Sequence, residues 1–125
     1  MSNEQLGVTD GKLAPCPNKP NCVSTQSIDE KSKMEPFSYS GTEGEALAKL
    51  KEILLDRKRT KIVKEDENYI RAEETSKLFK FVDDIEFYLE EASKTVHFRS
   101  ASRTGYSDFG VNKKRMEEIR NAFVN

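Results

Sequence analysis

Tryptophan is absent, histidine occurs once, at His97, and cysteine twice, at Cys16 and Cys22. With one imidazole in the chain, any Ser–His or Cys–His scheme of nucleophilic catalysis must pass through His97. The phosphate-loop lysine motif, the dinucleotide glycine fingerprint and the nucleophile elbow are all missing, so the common nucleotide-binding and hydrolase templates fail. No apolar run exceeds three residues. A spanning helix needs roughly 20, so no membrane span is expected. Charge of one sign is missing too: 21 basic residues nearly cancel 22 acidic ones, for a net charge of -1. That balance argues against wrapping nucleic acid and against bulk attraction to an anionic membrane, while leaving room for a local basic patch. The short basic clusters at 57–61 and 113–115 lack the interleaved aromatics of a stacking platform, so no nucleic-acid partner is expected.

What is present is a highly charged chain, 34% Asp, Glu, Lys and Arg against 35% hydrophobic residues. Disorder requires low hydrophobicity together with a large net charge, and the second condition is not met. A chain of 125 residues buries roughly two thirds of its unfolded surface and carries a core without metal or disulfide staples. Residues 1–125 are therefore expected to form one domain. Met1 to Gln5 have neither the basic start nor the apolar stretch of a secretory signal, so a cytoplasmic location is expected.

All four prolines (Pro15, Pro17, Pro20 and Pro36) lie in the first third, where they bar long helices and central strands. Residues 1–41 accordingly read as an irregular arm, and Leu6, Val8, Leu13, Val23 and Phe37 give it apolar anchors with which to wrap the domain. Thr42-Glu43-Gly44-Glu45 reads as a capping box, followed by Ala46, Leu47, Leu50, Ile53 and Leu54 on one helical face. Arg57, Lys58 and Arg59 are expected to complement the end of that helix. Four strands are predicted: Lys61 to Lys64, Tyr69 to Glu74, Leu78 to Leu89 and Thr95 to Ala101. In the third, Phe79, Phe81, Ile85, Phe87 and Leu89 share one face; in the fourth, Val96 and Phe98 oppose His97 and Arg99. Short polar connections imply hairpins. A last helix is expected from Asn112, as its N-cap, to Phe123, with Met116 and Ile119 on its stripe. The fold class is thus α+β: an antiparallel four-stranded meander covered by two helices, with a long irregular N-terminal arm.

Two segments carry a resemblance. Leu13-Ala14-Pro15-Cys16-Pro17-Asn18-Lys19-Pro20-Asn21-Cys22-Val23-Ser24-Thr25 and the stretch from Arg99 to Arg115 (RSASRTGYSDFGVNKKR) together resemble the signatures of the domain-of-unknown-function family numbered 1499 (DUF1499). The likeness spans about Leu6 to Ile119. It implies little about activity, because the family is named for having none assigned. Some of its members look like lipoproteins or organelle-targeted proteins, with a leader not seen here.

Three constellations are the candidates for function. Cys16 and Cys22, with five residues between them, read as two packed thiols, as a structural disulfide in a bent loop, or, with His97, as an incomplete metal site. The loop before the last helix gathers Arg99, Ser102, Arg103, Ser107, Asp108, Asn112 and Arg115. Lys113, Lys114 and Arg115 sit in the helix's first turn, where cations oppose the dipole and call for an anion. That anion is either internal (Asp83, Asp84, Glu86, Glu90, Glu91 or Asp108) or a bound phosphate or carboxylate. Asp84, Glu86 and Tyr88 face His97, Arg99 and Ala101 across two strands, either as cross-strand pairs or as an acid–base cleft. The leading expectation is a non-enzymatic binding module for an anionic small molecule or an acidic protein partner, with no cofactor. Its alternatives are a hydrolase or transferase, using His97 with Asp84 or Glu86 and a Ser102 or Cys22 nucleophile, and a thiol switch through Cys16 and Cys22.

Overall fold

The computed structural model describes residues 6–105 and 108–124. In chain order the elements are β1 (Val8–Thr9), β2 (Lys12–Leu13), β3 (Cys22–Ser24), β4 (Phe37–Ser38), α1 (Glu43–Leu55), β5 (Thr60–Asp66), β6 (Tyr69–Thr75), β7 (Val82–Glu90), β8 (Thr95–Ser102) and α2 (Val111–Val124). The fold is α+β with two helices and antiparallel pairing throughout both sheets.

The main sheet has six strands, not the expected four. β5, β6, β7 and β8 make the meander, and β8 is then extended on its free edge by two strands of the arm. β3 pairs with residues 99–101 of β8, and β4 pairs with residues 95–96. β1 and β2 form a separate two-stranded hairpin. The arm's strands are only two or three residues long, too short for any periodicity to register in sequence. All four prolines fall outside them, as their missing N–H requires.

α1 opens on the predicted capping box: Thr42 Oγ1 accepts from the Glu45 N–H at 3.1 Å and Glu45 Oε1 accepts from the Thr42 N–H at 2.9 Å. Gly41 (φ 80°) lets the chain enter, since a β-carbon there would stand 2.7 Å from Glu45 Oε1. The helix ends at Leu55, so Arg57, Lys58 and Arg59 lie beyond it rather than in its last turn; Arg57 instead pairs with Glu74 and Glu118. α2 starts at Val111, one residue earlier than predicted, and Asn112 is inside the helix rather than its N-cap. The carboxylate at the helix start belongs to Asp108, which accepts from the N–H groups of Gly110 (2.8 Å) and Asn112 (3.1 Å).

The third predicted strand starts too early. A hydrogen bond from the Ser76 N–H to the Phe81 carbonyl closes the β6–β7 connection, and Lys80 adopts φ 60°. Leu78, Phe79 and Phe81 therefore stand in the turn, 78%, 68% and 55% exposed, and only Ile85, Phe87 and Leu89 keep the inner positions assigned to them. Continued period two places Asp83 on that inner face, where an apolar residue is otherwise expected. Leu50, Leu54, Met116, Ile119 and Phe123 of the helices close over Ile70, Ile85, Phe87, Val96 and Phe98 to make the core.

Candidate functional site

The sheet ends on a row of residues, Thr60, Glu74, Asp83 and Ser102, given by the strand register. On the helix side of this row the apolar core gives way to a polar cluster. Arg115 of α2, only 4% exposed, donates to Glu74 Oε2 and Asp83 Oδ2, both at 2.7 Å, and to Ser100 Oγ and Asn112 Oδ1. Asn112 is fully buried; it accepts from Ser100 Oγ and donates to the Asn21 carbonyl, Ser102 Oγ and Asp108 Oδ2. Burial alone would raise the Glu74 carboxyl, but donors from Arg57, Arg115 and Thr60 outweigh it and hold the group at about 2. The Pro20–Asn21 stretch is thus tied to the loop before α2: Asn21 Nδ2 donates to the Gly105 carbonyl and the Asp108 N–H donates to the Pro20 carbonyl.

The opposite face of the sheet carries the cross-strand pairs in the register Asp84↔Ala101, Glu86↔Arg99 and Tyr88↔His97. It is not an open cleft. The arm lies across it: the Gly7 N–H donates to Glu86 Oε2 at 2.7 Å and Arg99 Nη2 donates to the Pro15 carbonyl. Glu86 and Arg99 are completely buried, 3.7 Å apart, and Tyr69 Oη donates to Glu86 Oε2 at 2.6 Å. Burial, then that carboxylate, pushes the Tyr69 phenol upward. Arg103 grips Asp84 with two donors, at 2.9 and 2.8 Å, and reaches Glu73 at 2.5 Å.

His97 shares a hydrogen bond with Thr25 Oγ1 at 3.0 Å, and burial lowers its imidazole below the ordinary value despite Glu90 nearby. None of the hydrogen bonds of the described residues joins His97 to Asp84, Glu86 or Ser102. Cys16 and Cys22 form a disulfide, which corrects the reading of two packed thiols. It also removes Cys22 as a free nucleophile and both sulfurs as metal-ligating thiolates. Among the described residues no group of three or more His, Cys, Asp or Glu is placed to hold a metal.

Of the predicted ligand set, then, Ser102, Arg103, Asp108, Asn112 and Arg115 lie at one end of the sheet, on both of its faces, while Arg99 pairs with Glu86 in mid-sheet, and each of the three guanidiniums faces a carboxylate of this chain. Ser107 lies outside the described residues. Sequence reasoning overlooked Glu74, whose place beside two arginines depends on register, and it placed Phe79 and Phe81 on one strand face with Ile85, Phe87 and Leu89, whereas both stand exposed in the turn.

At this same end exposed cations gather, with Asp56 among them. Lys58, Arg59, Lys77, Lys80, Lys113 and Lys114 are all exposed, because α1 ends, the β6–β7 turn projects and α2 begins there. Asp83, Asp84, Glu73 and Glu74, the acids beneath, are each engaged by an arginine. The opposite end holds the β5–β6 and β7–β8 turns and the start of α1, with Glu65, Asp66, Glu67, Glu91 and Glu43 beside Lys64 and Lys94. Burial, Glu91 and Glu67 raise the Glu43 carboxyl, as mutual repulsion of neighbouring acids requires. A separate groove of about 870 Å³ runs between the arm and the β3–β4 connection, lined by Lys12, Leu13, Pro15, Cys16, Gln26 and Ile28 among others.

A family model described as "Protein of unknown function (DUF1499)" matches residues 12–123, nearly the whole chain. No curated protein and no solved structure matches the chain significantly.

Proposed function

Since the chain belongs to that family of proteins of unknown function, we propose from its own residues that it is a non-enzymatic binding module, one that takes an acidic partner at its basic end. The observation that carries this reading is the segregation of charge in a molecule whose net charge is only -1. Lysines gather around the glycine-punctuated loop and the start of α2, while acids gather at the far end. Arg99 and Arg115 are too buried to serve as the contact surface, and Arg115 is held by Glu74 and Asp83. Lys113 and Lys114, with Lys77 and Lys80, take that role.

The test is retention on immobilised poly-L-glutamate. The protein is expected to bind at low salt and elute as salt rises. Lys113→Glu with Lys114→Glu is expected to abolish retention, while Glu67→Lys with Glu91→Lys at the opposite end leaves it in place. Equal retention of the lysine variant refutes the reading. A second reading, a thiol switch, is favoured by the Cys16–Cys22 bridge, whose reduction would untie the arm from β3.

A further inference from the structure

The basic end also bears apolar side chains in water. Leu78 (78% exposed), Phe79 (68%) and Phe81 (55%) crown the β6–β7 turn, and Phe109 (94%) and Val111 (49%) stand in the neighbouring loop and helix start. Single exposed apolar residues are ordinary, but a set this large on one projecting end marks an interaction surface. We propose that this end docks on an anionic lipid surface, with Leu78, Phe79 and Phe81 entering the boundary between headgroups and acyl chains. The inference rests on the reading of the basic end as the binding surface and names its partner.

Four features fit a lipid surface. First, the apolar residues are interspersed with cations, Lys77-Leu78-Phe79-Lys80-Phe81, so the ammonium groups can stay among lipid phosphates while the rings go deeper. Second, the turn extends beyond the last strand pair, Thr75 with Val82, and the Phe79 and Phe81 rings stack there at 5.6 Å as one wedge. Third, the base of the turn is closed on itself: the Ser76 N–H donates to the Phe81 carbonyl at 2.8 Å and the Phe81 N–H to Ser76 Oγ at 2.9 Å, which holds the tip in one shape. Fourth, the charge segregation orients the molecule, since the acidic end is repelled by the same surface that attracts Lys58, Lys77, Lys80, Lys113 and Lys114. Each lysine near such a surface strengthens binding by about fivefold.

The test is co-sedimentation of the whole protein with phosphatidylcholine vesicles, with and without phosphatidylserine. Binding is expected only to the vesicles containing phosphatidylserine. Phe79→Ser with Phe81→Ser is expected to weaken it at least about tenfold, two buried aromatic rings being worth more than that, while leaving poly-L-glutamate retention and the thermal midpoint unchanged. Because the chain has no tryptophan, Phe79→Trp provides a single reporter whose emission shifts to the blue on adding those vesicles, and Glu91→Trp a control that does not shift. The lipid inference is overturned alone if poly-L-glutamate retains the protein but the vesicles do not, or if the Phe79→Ser, Phe81→Ser variant sediments like the parent. It is overturned equally by a concentration-dependent dimer that this variant abolishes, which would assign the wedge to a second copy of the chain. Failure on both matrices removes the reading of the basic end as well.

Discussion

Arg115 shows how a residue that reads as a ligand contact becomes a structural pivot. Its guanidinium meets two carboxylates, a hydroxyl and an amide oxygen at 4% exposure. Removing one side of a buried ion pair leaves the other charge unsolvated, at a cost of about 3 to 5 kcal/mol. Arg115→Ala is therefore expected to lower unfolding free energy by about that much in urea titration, whereas a surface ligand residue would change binding and leave stability alone. Glu74 gives the same cluster a pH signature. Its carboxyl sits at about 2 in the folded protein, below the ordinary carboxylate value of the unfolded chain. A depressed folded value contributes stability that is complete above the unfolded value and is lost as pH falls from about 5 toward 2. The midpoint of thermal unfolding should fall over that range, and Glu74→Gln should flatten the fall while lowering stability at pH 7.

Among the elements, the arm departs most from expectation. It contributes two strands to the free edge of β8 and a hairpin over the other face, and the Cys16–Cys22 bridge closes its bend with a sequence separation of six. Closing so short a loop restricts the unfolded chain by about 2 kcal/mol. Cys16→Ser with Cys22→Ser is expected to destabilise by that amount and to speed amide exchange in residues 7–18 more than in β7. If exchange in the arm is the same with and without reductant, the bridge is a staple and not a switch. The β6–β7 turn is the other surprise. Its Phe79 and Phe81 satisfy the strand alternation of the residues that follow, yet the Ser76–Phe81 closure puts them in solvent.

At the scale of the whole molecule, a chain of nearly balanced charge gathers exposed lysines at one end of the strands and acids, with Lys64 and Lys94 among them, at the other. Exposed charges separated by more than about 10 Å are screened from one another at 0.1 M salt, so each end acts on its own surroundings and the poly-L-glutamate interaction should fall steeply with added salt. The sequence by itself determined the α+β class, both helices, the capping box of α1 and the meander, because these depend on local periodicity, caps and short connections, whereas the register that pairs Glu86 with Arg99 and Tyr88 with His97 came from the structure. Family membership was legible in the two long motifs for the same reason: contiguous residues carry it. Only the tertiary structure decided that the arm pairs with β8, that Cys16 and Cys22 are bridged, that Arg115 meets Glu74 from 41 residues away, and that lysines from three separate segments share one end with an exposed aromatic wedge. Those outcomes depend on contacts between distant segments, which leave no period or spacing in the chain itself.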